Sequence, residues 1–274
     1  MDREKFVQAS VRIRNLEKKL LTKIQFERLY EADDLQDSIR HLNETVYSED
    51  LAKIDRAENF EMALSSSLNK TYSEVLSFCP VKELVDVLTY RFAFHNIKVV
   101  VKEKILQENF EHIYSKVHYE DLDNLRKQFE TEKGEKGTWY EDTVIQAYKT
   151  FEETKDPEKI EFFIDKRYFE KVLEISKKLE LDLVEEYFRA MIDFVNIRTF
   201  IRCKRQEQDI SVLKEALIKG GYINIDDIST YFYKEIQDLV NAYKNSKIGK
   251  SLFLGLKGYN ETGRLLLFEK HMEL

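Results

Sequence analysis

The sequence predicts an all-α protein assembled from pseudo-symmetric modules of long helices. Three observations carry that prediction. Apolar residues recur at helical spacing: Leu183, Tyr187, Ala190, Phe194, Ile197 and Ile201 follow steps of four, three, four, three and four, and Val87, Tyr90, Phe94, Ile97 and Val101 repeat the pattern. The two segments also share a phrase. Phe94-His95-Asn96-Ile97-Lys98 through Lys102 and Lys104 matches Phe194-Val195-Asn196-Ile197-Arg198 through Arg202 and Lys204, 100 residues later. Finally, helix breakers are scarce: no glycine precedes Gly134, and the chain has two prolines.

Taken in order, helices are expected at 4–30, 32–43, 56–78, 80–115, 118–131, 138–152, 157–179, 181–208, 210–219 and 229–244. Cys79-Pro80 ends one helix and opens the next, because proline disfavours helical geometry at the residue before it. Asp156-Pro157-Glu158 reads as an N-cap followed by proline at the first helical position. Lys133 to Gly137 reads as a turn, Gly220-Gly221 as the close of a helix, and Asn224 as a cap. Four of the eight glycines lie between Gly249 and Gly263, so residues 246–274 are expected to be mixed, with a last helix starting near Gly263. A fainter copy of the repeated phrase, Ile13-Arg14-Asn15-Leu16 through Lys23, puts related asparagines at 15, 96 and 196. Those intervals fit bundle-sized units of several helices and exceed the period of common helical solenoids.

With 44 basic and 51 acidic residues the net charge is −7. That average opposes nucleic-acid binding and opposes attachment to anionic lipid through charge alone. No apolar run is long enough to span a bilayer, and Met1-Asp2-Arg3-Glu4-Lys5 lacks a signal-peptide core, so the cytoplasm is the default expectation. Cys79 and Cys203 read as isolated thiols of a reducing compartment.

His41, His95, His112, His118 and His271 lack metal-ligand spacing. Gly255-Leu256-Lys257-Gly258 is not a phosphate-binding loop. No catalytic constellation, metal site or cofactor site is expected. Mid-helix Asn96 and Asn196 read either as bonds to a neighbouring helix that fix register or as solvent-facing residues kept by duplication. Lys98 and Lys102, and likewise Arg198 and Arg202, are spaced i,i+4 on one face, with Arg205 extending the second pair. They form either a basic ridge for an acidic partner or an ordinary solvated face. Lys104 and Lys204 close the two copies of the repeat. Tyr231-Phe232-Tyr233 cannot all face one core, so one side of the triplet is free to meet another protein.

An ordered set of motifs resembles the C subunit of the V-type and archaeal-type rotary ATPases, known as the d subunit in eukaryotes. Besides the two repeats, the set comprises Leu42-Asn43-Glu44-Thr45-Val46-Tyr47, Ala216 to Ile223 with its Gly-Gly turn, and Thr262-Gly263-Arg264 through Phe268-Glu269-Lys270. The resemblance implies a non-catalytic, funnel-shaped adaptor between the central axle and the membrane rotor ring. On that reading residues 1–115 and 116–209 are two helical modules and 210–274 a partial third. Family members continue past the Phe-Glu-Lys helix to a closing helix, so funnel closure and the stability of residues 246–274 are expected to be reduced. The alternative is an all-helical interaction scaffold unrelated to rotary ATPases, or an enzyme with a site of no familiar pattern.

Overall fold

A computed structural model describes residues 3–117, 122–127 and 138–270. It is all-α, with no strand among those residues. The chain divides into two compact units, Met1–Lys127 and Gln128–Leu274.

The first unit opens with a 3-10 turn at Arg3–Phe6 and continues through α1 (Val7–Glu17), α2 (Lys23–Tyr30), α3 (Leu35–Asn43) and α4 (Ser48–Leu51). The single helix expected over 4–30 is broken at residues 18–22. Thr22 makes the break. Its hydroxyl accepts from the Gln25 amide while the Gln25 side chain accepts from the Thr22 amide at 2.7 Å. This capping box starts a new helix without glycine or proline. Asp34 caps α3 in the same manner, accepting from the Asp37 amide at 2.8 Å. Leu42 to Tyr47 closes α3: the Thr45 hydroxyl donates to the Leu42 carbonyl at 2.6 Å and accepts from the Tyr47 amide.

α5 (Phe60–Phe78) ends where Cys79 turns extended before Pro80, and α6 (Lys82–Leu106) follows. α6 stops well short of the expected 115, because Gln107 adopts left-handed geometry at φ 56°. Lys155, Glu180 and Glu207 end α8, α9 and α10 (below) in the same region of backbone space. Glycine usually holds this cap, since a Cβ is strained there. Without a glycine to mark it, the stop is invisible in the sequence. Of the helix expected over 118–131, α7 (Leu122–Lys127) is described. The remainder, with the Lys133–Gly137 turn, His118 and His271, lies outside the described residues.

The second unit begins with α8 (Trp139–Thr154), capped by a Thr138–Glu141 box, and α9 (Pro157–Leu179), whose cap is Asp156 with proline in the first turn. α10 (Asp182–Arg205) packs on α9 and α11 (Ile210–Ala216). The helix expected over 229–244 is two helices. α12 (Ile225–Thr230) starts at the Asn224 cap, and α13 (Ile236–Tyr243) follows a turn.

Residues 246–274 depart furthest from expectation. α14 (Gly249–Thr262) runs straight through Gly255 and Gly258, and α15 (Leu265–Glu269) folds back on it. A Cβ at Gly255 would lie 2.9 Å from the Phe268 ring, and one at Gly258 would lie 3.2 Å from Leu267 Cβ. These glycines let two helices approach closely and do not loosen a loop. Leu252, Leu256 and Phe268 are buried in the same core as Phe194, Ile197, Phe200 and Ile201 of α10. Each such side chain contributes about 1.5–3 kcal/mol of hydrophobic stabilisation.

The stripe that identified α10 is buried only from Phe194 onward. Leu183 is 80% exposed and Tyr187 also faces solvent, while Ile192, Phe200 and Cys203 are buried off the stripe. α10 therefore lies enclosed on several sides in its second half and open at its start.

Candidate partner-binding surface

α6 and α10 carry the repeated phrase, and their burial patterns match residue by residue. Phe94 and Phe194, Asn96 and Asn196, Ile97 and Ile197, and Val101 and Ile201 are all buried. Lys98 and Arg198 are half-buried, Lys102 and Arg202 are exposed, and Lys104 and Lys204 are half-buried.

The asparagines do not reach across to another helix. Asn96 grips the backbone of Ser115: its amide nitrogen donates to the Ser115 carbonyl at 2.9 Å, and its oxygen accepts from the Ser115 amide at 2.8 Å. Asn196 makes the same pair with Ile218, both at 2.8 Å. In each unit a non-helical strap is fastened to the repeated helix, so a buried amide satisfies backbone groups that have no helix partner. Asn15 belongs to neither pattern. It is exposed, and its helix ends at Glu17, before Lys23.

The C-terminal ends of the two helices differ. On α6, Glu103 accepts from the Phe110 amide at 2.8 Å and from Arg126 at 2.9 and 3.0 Å. Burial pushes the Glu103 carboxyl up, but the Arg126 guanidinium and the Phe110 amide outweigh it and hold the group below its ordinary value. On α10, Lys204 donates to the Phe232 and Lys234 carbonyls at 2.6 and 2.7 Å and sits over the Phe200 and Phe232 rings. Lys204 thus ties α10 to the α12–α13 turn. Phe232 enters the core there, and Tyr233 stays 79% exposed.

The basic positions therefore divide. Arg198 forms an ion pair with Glu269 of α15 at 3.4 Å, both half-buried, so it serves the fold. Arg202 and Arg205 lie exposed at the end of α10 and can meet a partner. Lys98 and Lys102 lie on α6 in the first unit, so the five residues belong to two separate units.

Sequence reasoning missed the Gly-Gly turn's anchor. Asp193 is fully buried and accepts from the Tyr222 and Ile223 amides at 2.9 and 3.0 Å. A Cβ at Gly221 would lie 2.0 Å from its Oδ1, and Gly220 has φ 108°. Arg189, one turn earlier, donates to the Gly221 carbonyl at 3.3 Å and lies over the Tyr222 ring. Burial lifts Asp193 to about 6, against the pull of the Ile223 and Tyr222 amides and Arg189. The Asp-Phe-x-Asn spacing, with Asp193 three residues before Asn196, was the available signal. Also missed was Asp50, buried under Lys53, Lys70 and Ser66 at 2.9–3.2 Å.

No cluster of metal-ligating side chains occurs among the described residues. A cavity of about 60 Å3 beside Arg28, His41 and Thr45 has room for water and is far below ligand size. No described helix is long and apolar enough to cross a membrane.

A family profile described as ATP synthase (C/AC39) subunit matches residues 9–273. The chain belongs to that family. Among C/AC39 relatives it is similar to the C subunit of the V-type sodium ATPase of Enterococcus hirae, 23% identical over 264 residues, covering 96% of this chain and 76% of the relative. It is 30% identical over 280 residues to the C subunit of the A-type ATP synthase of Thermococcus gammatolerans, covering 89% of this chain and 72% of the relative. Against the corresponding A-type ATP synthase protein of Desulfurococcus it is 28% identical over 234 residues and spans 63% of that protein's length. The resemblance carried by the motifs and the C/AC39 match coincide.

Proposed function

We propose that this chain is a non-catalytic rotor subunit of a V/A-type rotary ATPase. It sits on the cytoplasmic face of the membrane, joins the central axle to the rotor ring, and passes the torque that couples ATP hydrolysis or synthesis to H+ or Na+ movement. The observation that carries this reading is the C/AC39 match along 9–273. The architecture is consistent with the task. α6 and α10 are helices of 25 and 24 residues, and each is clasped to a backbone strap by a buried asparagine. Stiff elements with fastened connections transmit force with little lost motion. The division into modules 1–115, 116–209 and 210–274 belongs to the same reading, as does contact through Lys98, Lys102, Arg198, Arg202 and Arg205.

Co-sedimentation of the chain with detergent-solubilised rotor ring, with and without the axle subcomplex, tests the proposal. Binding to both supports it; binding to neither favours an unrelated helical scaffold. The Arg202→Glu/Arg205→Glu variant should weaken partner binding with unchanged circular dichroism. Arg198 is unsuitable for that purpose, because reversing its charge repels Glu269 within the fold.

A further inference from the structure

The turn joining α1 to α2 reads Lys18-Lys19-Leu20-Leu21-Thr22-Lys23-Ile24. Leu20 is 70% and Ile24 63% exposed. Lys18, Lys19 and Lys23 surround them in solvent. Among the described residues Lys18 and Lys19 have no ion pair, and Lys23 has one long contact to Glu27 at 3.6 Å. Over residues 12–23 the chain places five basic side chains against Glu17 alone, although its total charge is −7. The chain average hides this local excess.

The turn is also preformed. Lys19 and Leu20 amides donate to the Leu16 and Glu17 carbonyls at 2.9 and 3.1 Å, and the Thr22–Gln25 box fixes the far side. An apolar knob ringed by solvated ammonium groups is a poor centre for a protein interface, where lysine is depleted. It does suit a bilayer boundary, where acyl chains accept the knob and anionic headgroups meet the lysines, whose stems reach outward along apolar surface.

We propose that the α1–α2 turn seats on an anionic lipid surface. Leu20 and Ile24 enter the interface, and Lys18, Lys19 and Lys23 meet headgroup phosphates. The contact is weak and reversible, because one short apolar knob and a few charges provide marginal anchoring. It supplements whatever else holds the chain to a membrane complex and does not depend on the rotor reading.

The full chain is to be co-sedimented with phosphatidylcholine vesicles lacking or containing phosphatidylserine. Binding is expected only with phosphatidylserine, and salt should weaken it. Lys18→Ser/Lys19→Ser should lower affinity about twentyfold, at about fivefold for each lysine near the surface. Leu20→Ser/Ile24→Ser should lower it further at high salt, where insertion carries the contact. All four side chains are exposed, so circular dichroism should not change. Failure to bind phosphatidylserine vesicles overturns the proposal, as does binding that either double variant leaves intact. Loss of rotor-ring binding in the Leu20→Ser/Ile24→Ser variant, with no vesicle binding by the parent chain, assigns the knob to a protein partner and also overturns it.

Discussion

Asn196 holds Ile218 by both of its backbone groups, donating to the carbonyl and accepting from the amide at 2.8 Å each. Asn96 holds Ser115 in the same way. Asn196→Ala leaves two buried groups unsatisfied and should cost about 2–4 kcal/mol. Asn96→Ala should cost less, because the Ser115 bonds are only partly buried and His95 still contacts Ile113 nearby. Urea denaturation of the two variants compares them; equal small losses would mean that water replaces both clasps.

How much of this was legible follows from what each residue type advertises. The repeated phrase marked α6 and α10, since apolar spacing survives in sequence whatever the neighbours are. The Asn96 and Asn196 partners were not legible, because an asparagine's code does not say which backbone it will meet. Helix ends at Gln107, Lys155, Glu180 and Glu207 were hidden for a related reason: left-handed caps without glycine leave no letter behind. Gly255 and Gly258 misled in the other direction. Their role is close packing of α15 on α14, which only the fold reveals.

The left-handed caps offer a gain in stability. Lys155→Gly and Glu180→Gly relieve Cβ strain at φ 53° and 52°. Each should add about 0.5–1 kcal/mol, after the extra unfolded-state entropy of glycine is subtracted. Thermal melts check this, and a lower melting temperature for both would show that the caps carry no strain.

Gly221 and Gly263 should respond very differently to alanine. At Gly221 a Cβ lies 2.0 Å from Asp193 Oδ1, so Gly221→Ala must displace a buried carboxylate from its two amides, at a cost of about 3 kcal/mol or more. At Gly263 nothing lies within 4 Å, and Gly263→Ala meets only the φ of 67°, worth about 1 kcal/mol. Denaturant midpoints rank the pair, and the reverse order would remove Asp193 as the turn's anchor.

Hydrogen exchange tests the packing of α14. Leu252 and Leu256 are buried against α10 residues, so the amides around them should be protected about as well as those near Ile197 and Ile201. Rapid exchange there would restore the sequence-based expectation of a weakly held segment at 246–274.

The buried Asp193 ties stability to pH. Its carboxyl sits at about 6 in the fold against 3.8 unfolded, with burial the dominant cause. The native state therefore binds this proton more tightly than the unfolded chain does. The stability it contributes is complete below about pH 4 and is lost as pH rises through 6, with a full span of about 3 kcal/mol. Groups facing it act on the same equilibrium: Arg189 from its own helix, the Tyr222 and Ile223 amides from the turn, and Tyr243 from α13. Glu103, held low by Arg126 and the Phe110 amide, runs the opposite way and loses its contribution on acidification. Total stability thus mixes signs, and the comparison with Asp193→Asn isolates one of them. Between pH 7 and pH 5 the parent chain should gain stability relative to that variant. A difference that stays flat across the same range would show that the Tyr222 and Ile223 amides fully offset burial and keep the carboxylate charged.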